Sequence, residues 1–363
     1  MITNQILQGT IDGLKAITGV DMCLCDTDGK RVAASGDDNS FAAADVVSFA
    51  KSQADSQEVK GKAFFKVHDE DGQLEYILIT DGGSDDSYTV GKITVFQIKG
   101  LLTAYRERYD KDNFIKNLLL DNLLLVDIYN RAKKLHIETE DVRAVMLVET
   151  RADKNSQALE LVRKLFAGRT NDFVTAVDEK YIILVLEVDK DDAGRIELKT
   201  ADSLIASLHK EGFPEARISY GTPVDVLKDV SRSYKEAKMA LDVGKIFFDE
   251  RDIIAYGSLG IGRLIYQLPI PLCKMFIKEI FAGKSPEDFD EETLTTIDKF
   301  FENSLNVSET SRQLFIHRNT LVYRLDKLQK ATGLDLRVFE DAITFKIALM
   351  VSRYMKYMEN NNY

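Results

Sequence analysis

The sequence is poor in the residues that build disulfide frameworks and metal sites. Its 363 residues include three cysteines, four histidines and no tryptophan. Three cysteines fit a reducing compartment better than a disulfide scaffold. Cys23 and Cys25 alternate along a predicted strand, which indicates buried apolar residues rather than metal ligands. The histidines are too scattered for a zinc site, so we expect no metal and no cofactor.

Long hydrophobic runs are also missing. The longest apolar runs, such as residues 181–186, have the length of a strand and not of a membrane span. The first residues lack the charged region and apolar core of a signal peptide. We therefore expect a cytoplasmic protein that does not contact membranes. At 45% hydrophobic content, the chain is long enough for two or three globular domains, each with its own core.

Residues 304–333 have the pattern of two helices joined by a short turn at 315–317. In the second helix Leu321, Leu325 and Leu328 recur at i, i+4 and i+7, so at about 100° per residue they share one face. This spacing predicts that the three leucines pack inward. The pattern is typical of a helix-turn-helix DNA reader.

The first helix of this pair is expected to begin with side-chain caps. Ser308 and Thr310 follow a polar loop and are predicted to cap the helix N-terminus.

The opposite face of the second helix is polar and carries positive charge. Five basic and two acidic residues between positions 305 and 330 give a local charge of +3 on a chain of net charge −11. Lysine and arginine supply much of any affinity for DNA phosphates. The alternative is an all-α end domain whose two helices only pack together. The residues predicted to contact DNA are Arg318, Asn319, Thr320, Tyr323, Arg324 and Lys327.

The most specific part of this pattern is the segment HRNTLVYRL, residues 317–325. Together with its flanks it resembles the C-terminal DNA-binding domain of the PucR/CdaR type of bacterial transcription regulator. The resemblance implies that residues 317–324 open the recognition helix and that residues 333–351 form the closing helices. Ser311 stands where that family usually has alanine, and its hydroxyl can bond back to its own helix.

Residues 141–245 read as strands alternating with helices. This order resembles the degenerate GGDEF-like domain of the same regulators, a ferredoxin-like relative of nucleotide cyclases. Active cyclases of that type carry a Gly-Gly-acid-acid-aromatic turn, whereas residues 177–181 read Val-Asp-Glu-Lys-Tyr. The first strand ends in Glu149-Thr150 where an aspartate is expected. We therefore expect no catalytic residues and no enzyme activity.

The first part of the chain begins with a helix, followed by two strands around Asp28-Gly29. Further strands are predicted at residues 62–67, 74–80 and 90–98. This order resembles the PAS-like or sugar-diacid-recognition sensors of such regulators, which implies a small-molecule effector such as a sugar acid or another carboxylate. The cations that could bind it are not confined to one motif, and each of them is explained more simply as a solvated charge at a strand edge, so the ligand-binding residues are unknown. The candidates are Lys30, Arg31, Lys62, Lys66 and Lys92.

Residues 101–135 are predicted to be helical and are crowded with leucine. Such a stretch suits a dimer contact, a signalling helix or an intramolecular core. Because DNA readers of this type commonly bind paired half-sites as two-fold dimers, we expect a homodimer.

The sequence thus predicts an α+β multidomain protein that acts as a ligand-responsive DNA-binding transcription regulator, an activator of catabolic genes. Its partners would be a double-stranded DNA operator, a small-molecule effector and a second copy of the chain. The alternatives are a nucleotide-binding or cyclase-type enzyme of the middle domain and a metabolite-binding protein-interaction module. The expected domains are a PAS-like or sugar-diacid-recognition-like sensor (1–109), a helical connector (110–140), a degenerate GGDEF-like, ferredoxin-like domain (141–250), a linker with a helix (251–285) and an all-α PucR-type helix-turn-helix domain (286–363).

Overall fold

The chain divides into two compact units, Met1–Ile115 and Lys116–Tyr363. No helix within the described ranges is long and apolar enough to cross a membrane. The domain boundary predicted at residues 285–286 lies outside the described residues. The computed structural model describes residues 2–36, 42–69, 71–81, 85–189, 195–281 and 289–360.

The N-terminal unit is built on a five-stranded antiparallel sheet with the order β2-β1-β5-β4-β3. Asp26 accepts a backbone hydrogen bond from Lys30 at 2.8 Å and so closes the predicted turn between the first two strands. The elements are α1 (Asn4–Thr18), β1 (Met22–Cys25), β2 (Arg31–Ala34), α2 (Ala43–Lys51), β3 (Ser56–Val59), β4 (Lys62–His68), β5 (Leu74–Asp81) and α3 (Asp85–Leu119).

The sheet of this unit has a core on each face. Alternation along the strands sends Leu24 and Leu78 towards α1 and α3, and sends their neighbours towards Val46 and Phe49 of α2. Cys23 and Cys25 lie on the α2 side, buried, free of disulfides and 3.8 Å apart at their sulfur atoms. The expectation that both are buried core residues is confirmed.

The strand predicted at residues 90–98 is wrong, because these residues lie inside α3. β-branched residues in this stretch suggested a strand. The buried positions, however, are Ser87, Gly91, Thr94 and Ile98, whose spacing of three and four residues is helical. Packing against the sheet therefore overrides the local preference of the residue types.

The leucine-rich stretch predicted as one helix is two helices. α3 ends at Leu119, Asp121 adopts a left-handed φ of 57°, and α4 spans Leu125–Lys134. Only part of the leucine run is core: Leu118 and Leu119 are buried, whereas Leu124 is 76% exposed.

The second unit begins with another five-stranded sheet, of order β10-β9-β6-β8-β7. Its antiparallel strands match the predicted ones, and β10, which runs parallel to β9, was not predicted. α5 and α6 cover one face of the sheet and α7 contacts β6 and β9. The elements are β6 (Arg143–Glu149), α5 (Asn155–Leu165), β7 (Phe173–Thr175), β8 (Tyr181–Glu187), α6 (Arg195–Lys210), β9 (Arg217–Tyr220), α7 (Val230–Phe247) and β10 (Ile253–Ala255).

The rest of this unit is helical and shares two hydrophobic cores. Leucines of α12 pack with Phe300 of α10 and Phe345 of α13. Further along α13, Val351 and Tyr354 pack with Ile265 of α8 and Cys273 of α9. The segment predicted as a linker with one helix thus contributes two helices to the protein interior. The elements are α8 (Gly262–Tyr266), α9 (Ile270–Ile280), α10 (Glu291–Glu302), α11 (Val307–Gln313), α12 (Arg318–Thr332) and α13 (Phe339–Asn360).

The tight packing of Gly221 against α7 yields a stability prediction. Gly221 follows β9, and a Cβ added there would lie 2.1 Å from the backbone oxygen of Ser233 in α7. Gly221→Ala should therefore force the helix away and lower the free energy of unfolding by about 1 to 3 kcal/mol. Gly168→Ala is the control, because nothing lies within 4 Å of its added Cβ. Thermal denaturation followed by circular dichroism compares the two, and equal midpoints would contradict the prediction.

Candidate DNA-binding site

The first helix of the predicted DNA reader, α11, is capped by Asn306. Its side-chain oxygen accepts hydrogen bonds from the backbone N–H groups of Ser308 (3.0 Å) and Glu309 (3.1 Å). The prediction that Ser308 and Thr310 cap this helix is therefore wrong. Thr310 lies within the helix, where its hydroxyl donates to the carbonyl oxygen of Asn306 at 2.8 Å. Asn306 takes the cap position because it directly precedes the helix, where its side chain reaches the N–H groups of the second and third helical residues.

The interior of α11 accommodates the unusual serine of the sequence. Ser311 is buried, and its hydroxyl donates to the carbonyl oxygen of Ser308 at 2.9 Å. The buried hydroxyl is thus satisfied inside its own helix, as the sequence indicated.

The second helix, α12, is defined at both ends. His317 is the N-cap, and its Nδ1 accepts a hydrogen bond from the backbone N–H of Asn319 at 3.2 Å. Gly333 ends the helix with a left-handed φ of 81°. The predicted helix–turn–helix is thus present, with four residues, 314–317, between the helices.

The leucine face of α12 is confirmed. Leu321, Leu325 and Leu328 are at most 1% exposed and belong to the core formed by α9, α10, α12 and α13. Their burial leaves the other side of the helix in solvent. Five of the six residues predicted to contact DNA are exposed there: Arg318, Asn319, Thr320, Tyr323 and Lys327.

These exposed side chains offer the groups that read DNA. Asn319 presents an amide that can donate and accept, Thr320 and Tyr323 present hydroxyls, and Arg318 presents a guanidinium. Tyr323 is 69% exposed, and its phenol can reach beyond the helix surface. These five residues form one exposed stripe of α12, which combines amide and hydroxyl groups with two cations.

The sixth predicted residue, Arg324, occupies a different environment. Its side chain is only 16% exposed, and its guanidinium pairs with Glu292 and donates to the hydroxyl of Thr296 at 2.9 Å. Both partners lie on α10. A contact of Arg324 with DNA would have to share or break this pair, whereas the pair itself ties α12 to α10.

Two further ion pairs border the exposed stripe. Lys327 lies 3.6 Å from Asp290, the N-cap of α10, but its side chain remains 65% exposed. Hydrogen bonds from Thr293 lower the pKa of the Asp290 carboxyl, so this neighbour of Lys327 remains an anion at neutral pH. Asp326 pairs with Arg337 at 2.9 Å. The negative charge of the Asp326 carboxylate is thereby countered by a neighbouring cation.

The middle domain lacks the geometry of a nucleotide-cyclising site at the matching positions. Glu149, at the end of β6, pairs with Lys245 of α7 at 2.5 Å, and both side chains are about three-quarters buried. An ammonium group thus sits against the carboxylate that a metal would need. In the turn before β8, Asp178 accepts backbone hydrogen bonds from Lys180 (2.9 Å) and Tyr181 (3.2 Å). Both carboxylates are therefore already engaged by partners within the protein.

Four of the five candidate cations of the N-terminal unit have separate partners. Arg31 donates to the carbonyl oxygen of Gly36 at 2.7 Å, and Lys62 pairs with Asp81 at 3.0 Å. Lys66 donates to the carbonyl oxygen of Ser52, just after α2. Lys92 lies over the ring of Tyr88, 4.8 Å from its centroid.

Comparison with known proteins gives two family matches. Residues 293–351 match the PucR C-terminal helix-turn-helix domain, and residues 122–243 match a GGDEF-like domain. The first range contains α11 and α12, and the second begins before β6 and ends within α7. The chain is therefore a DNA-binding transcription regulator that combines these two domains.

Three curated relatives agree. The chain is 26% identical to the carbohydrate diacid regulator of Escherichia coli (strain K12), over 77% of each chain. It is 23% identical to the proline-responsive transcriptional activator PutR of Bacillus subtilis (strain 168), over 78% of this chain and 69% of that protein. It is 31% identical to the purine catabolism regulatory protein of the same Bacillus strain, over 35% of this chain and 24% of that protein. The chain is thus similar to transcription regulators of the PucR/CdaR type in its GGDEF-like and helix-turn-helix domains.

The environment of Arg324 yields a prediction that separates structure from DNA contact. Arg324→Met should lower the free energy of unfolding of the C-terminal helices by about 1.5 to 3 kcal/mol, because Glu292 and Thr296 lose a charged partner. Lys327→Met, at an exposed position of the same helix, should change it by less than about 1 kcal/mol. Chemical denaturation of both variants measures the difference. Equal stabilities would show that the pair with Glu292 contributes nothing.

Proposed function

We propose that this protein is a ligand-responsive activator of catabolic genes that binds a double-stranded operator through α12. The exposed stripe of α12 carries this proposal, because the leucine core of the helix turns amide, hydroxyl and cationic groups outward together. Asn319 and Tyr323 would contact base edges, and Arg318 and Lys327 would contact phosphates. Thr320 would contact either of them. Arg324 would position α12 on α10 and reach DNA only by sharing its pair with Glu292.

The regulated genes and the effector are inferred from the relatives. The names of the similar proteins refer to carbohydrate diacids, purine catabolism and proline. Carbohydrate diacids, purines and proline are small metabolites that serve as nutrients. This supports a role in sensing a catabolic substrate in the cytoplasm. A sugar acid or another carboxylate remains the proposed effector class.

The N-terminal unit would be the sensor. A five-stranded antiparallel sheet between α2 on one face and α1 and α3 on the other supports a PAS-like domain. The effector would bias the arrangement of two copies of the chain, so that their recognition helices fit or miss neighbouring major grooves.

The middle domain would transmit or support this change and would not catalyse. The ion pair between Glu149 and Lys245 supports this assignment, since an internal cation neutralises the carboxylate nearest to the expected metal position.

Sequence-specific binding is the first prediction of this proposal. Genome fragments retained by the full-length protein at near-physiological salt should form discrete peaks, because purely electrostatic binding is weak there. The neighbouring genes would nominate the effector. Uniform retention, persisting when candidate metabolites are added, would instead favour a metabolite-binding protein that contacts another protein.

The exposed side chains of α12 should divide into two classes. Asn319→Ala and Tyr323→Ala should relax the base preference, whereas Arg318→Ala and Lys327→Ala should weaken binding to every sequence. Each of the latter should also reduce the slope of log affinity against log salt by about 1. Arg163→Ala, at an exposed position on α5, is the control. Wild-type affinity and slope in all four variants would overturn the assignment of α12.

The enzyme alternative can be tested independently. Incubation of the purified protein with GTP or ATP and Mg²⁺ should yield no cyclised or condensed nucleotide, measured by chromatography. Time-dependent product formation that scales with protein concentration would contradict this prediction.

A further inference from the structure

The turn between α11 and α12 has the hydrogen bonds of a Schellman motif. The N–H of Phe315 donates to the carbonyl oxygen of Arg312 at 3.2 Å, and the N–H of Ile316 donates to that of Ser311 at 3.0 Å. This motif requires one residue in the left-handed conformation, usually glycine or asparagine. That residue is Phe315, with φ of 53°.

Phenylalanine is unfavourable at this position on two counts. A side chain with Cβ is strained in the left-handed region, where glycine is not. The ring is also 96% exposed and is among the most solvent-accessible large apolar side chains in the described part of the protein. Its neighbour Ile316 packs against the core instead. The folded domain therefore gains no burial from the ring.

The position of Phe315 points to DNA as the surface that would cover the ring. It precedes Arg318, the first residue of α12, by three residues, and the N-terminal end of a recognition helix is the end that meets base edges. Exposed cations lie on both sides of it in the sequence: Arg312, which pairs with Glu309, precedes it, and Arg318 follows it. An exposed ring between cations suits a surface that combines phosphates with apolar groups.

We propose that the ring of Phe315 contacts a thymine methyl group and the neighbouring deoxyribose at the edge of the major groove. This inference rests on the proposed function and adds a residue that reads DNA by apolar contact rather than by hydrogen bonds. Methyl groups of thymine are the apolar feature of the major groove, and aromatic side chains recognise them. The contact would restrict one operator position to thymine.

Two substitutions test this contact without damaging the turn. Phe315→Asn and Phe315→Gly both tolerate the left-handed conformation, so the thermal midpoint should not fall. Their affinity for the operator found with the wild-type protein should fall roughly tenfold, measured by fluorescence anisotropy. The slope of log affinity against log salt should stay at the wild-type value, because no phosphate contact is lost. Phe339→Asn, at another exposed phenylalanine of the same domain, should bind like wild type.

A change in the DNA locates the contact. Replacing thymine by deoxyuridine, one operator position at a time, removes only a methyl group. One such position should weaken wild-type binding but leave the affinity of the Phe315 variants unchanged.

The outcomes separate this inference from the proposed function. If the wild-type protein selects no sites, the proposed function fails. If it selects sites and the Phe315 variants bind them equally well, only the Phe315 contact is overturned. Normal operator binding combined with lost transcriptional activation would assign the ring to a protein partner instead.

Discussion

Burial of the leucine face of α12 is the constraint on which the DNA-binding surface depends. Leu321, Leu325 and Leu328 are spaced so that only one rotation of the helix about its axis hides all three. The rotation that hides them also determines which side chains remain in solvent. On its own, α12 would have little preference for one rotation about its axis, because it contains few leucines and many polar residues. The cores of α10 and α13 supply that preference, and the pair of Arg324 with Glu292 reinforces it.

The sequence predicted the features that depend on local periodicity and missed those that depend on distant partners. The leucine seam, the alternation of strands and helices in the middle domain and the burial of Cys23 and Cys25 all follow from the spacing of neighbouring residues. The partner of Arg324 lies 32 residues away, and that of Glu149 lies 96 residues away. No local pattern relates residues at such separations. The exposed face of α12 was thus predictable almost completely, while the packing that supports it was not.

The errors within elements have the same physical origin. Residues 90–98 have the composition of a strand, but they form part of α3, whose apolar side chains pack on one face of the sheet. Ser308 was predicted as a cap because serine is a good one, yet Asn306 lies earlier and accepts two backbone bonds. In both cases the local preference of the residue type is real, but a competing interaction overrides it.

The shared core of α8, α9 and α13 limits how this regulator could exchange parts with its relatives. Val351 and Tyr354 of α13 pack on Ile265 and Cys273, which precede the helix-turn-helix in the sequence. A recombination joint just before α10 would separate these partners and leave unmatched apolar surfaces on both parents. Ile246 and Phe247 of α7 belong to the same core, so the helices α8 to α13 are also tied to the middle domain. New operator specificities would arise more readily by substitutions on the exposed stripe of α12 than by replacement of the two helices that carry it.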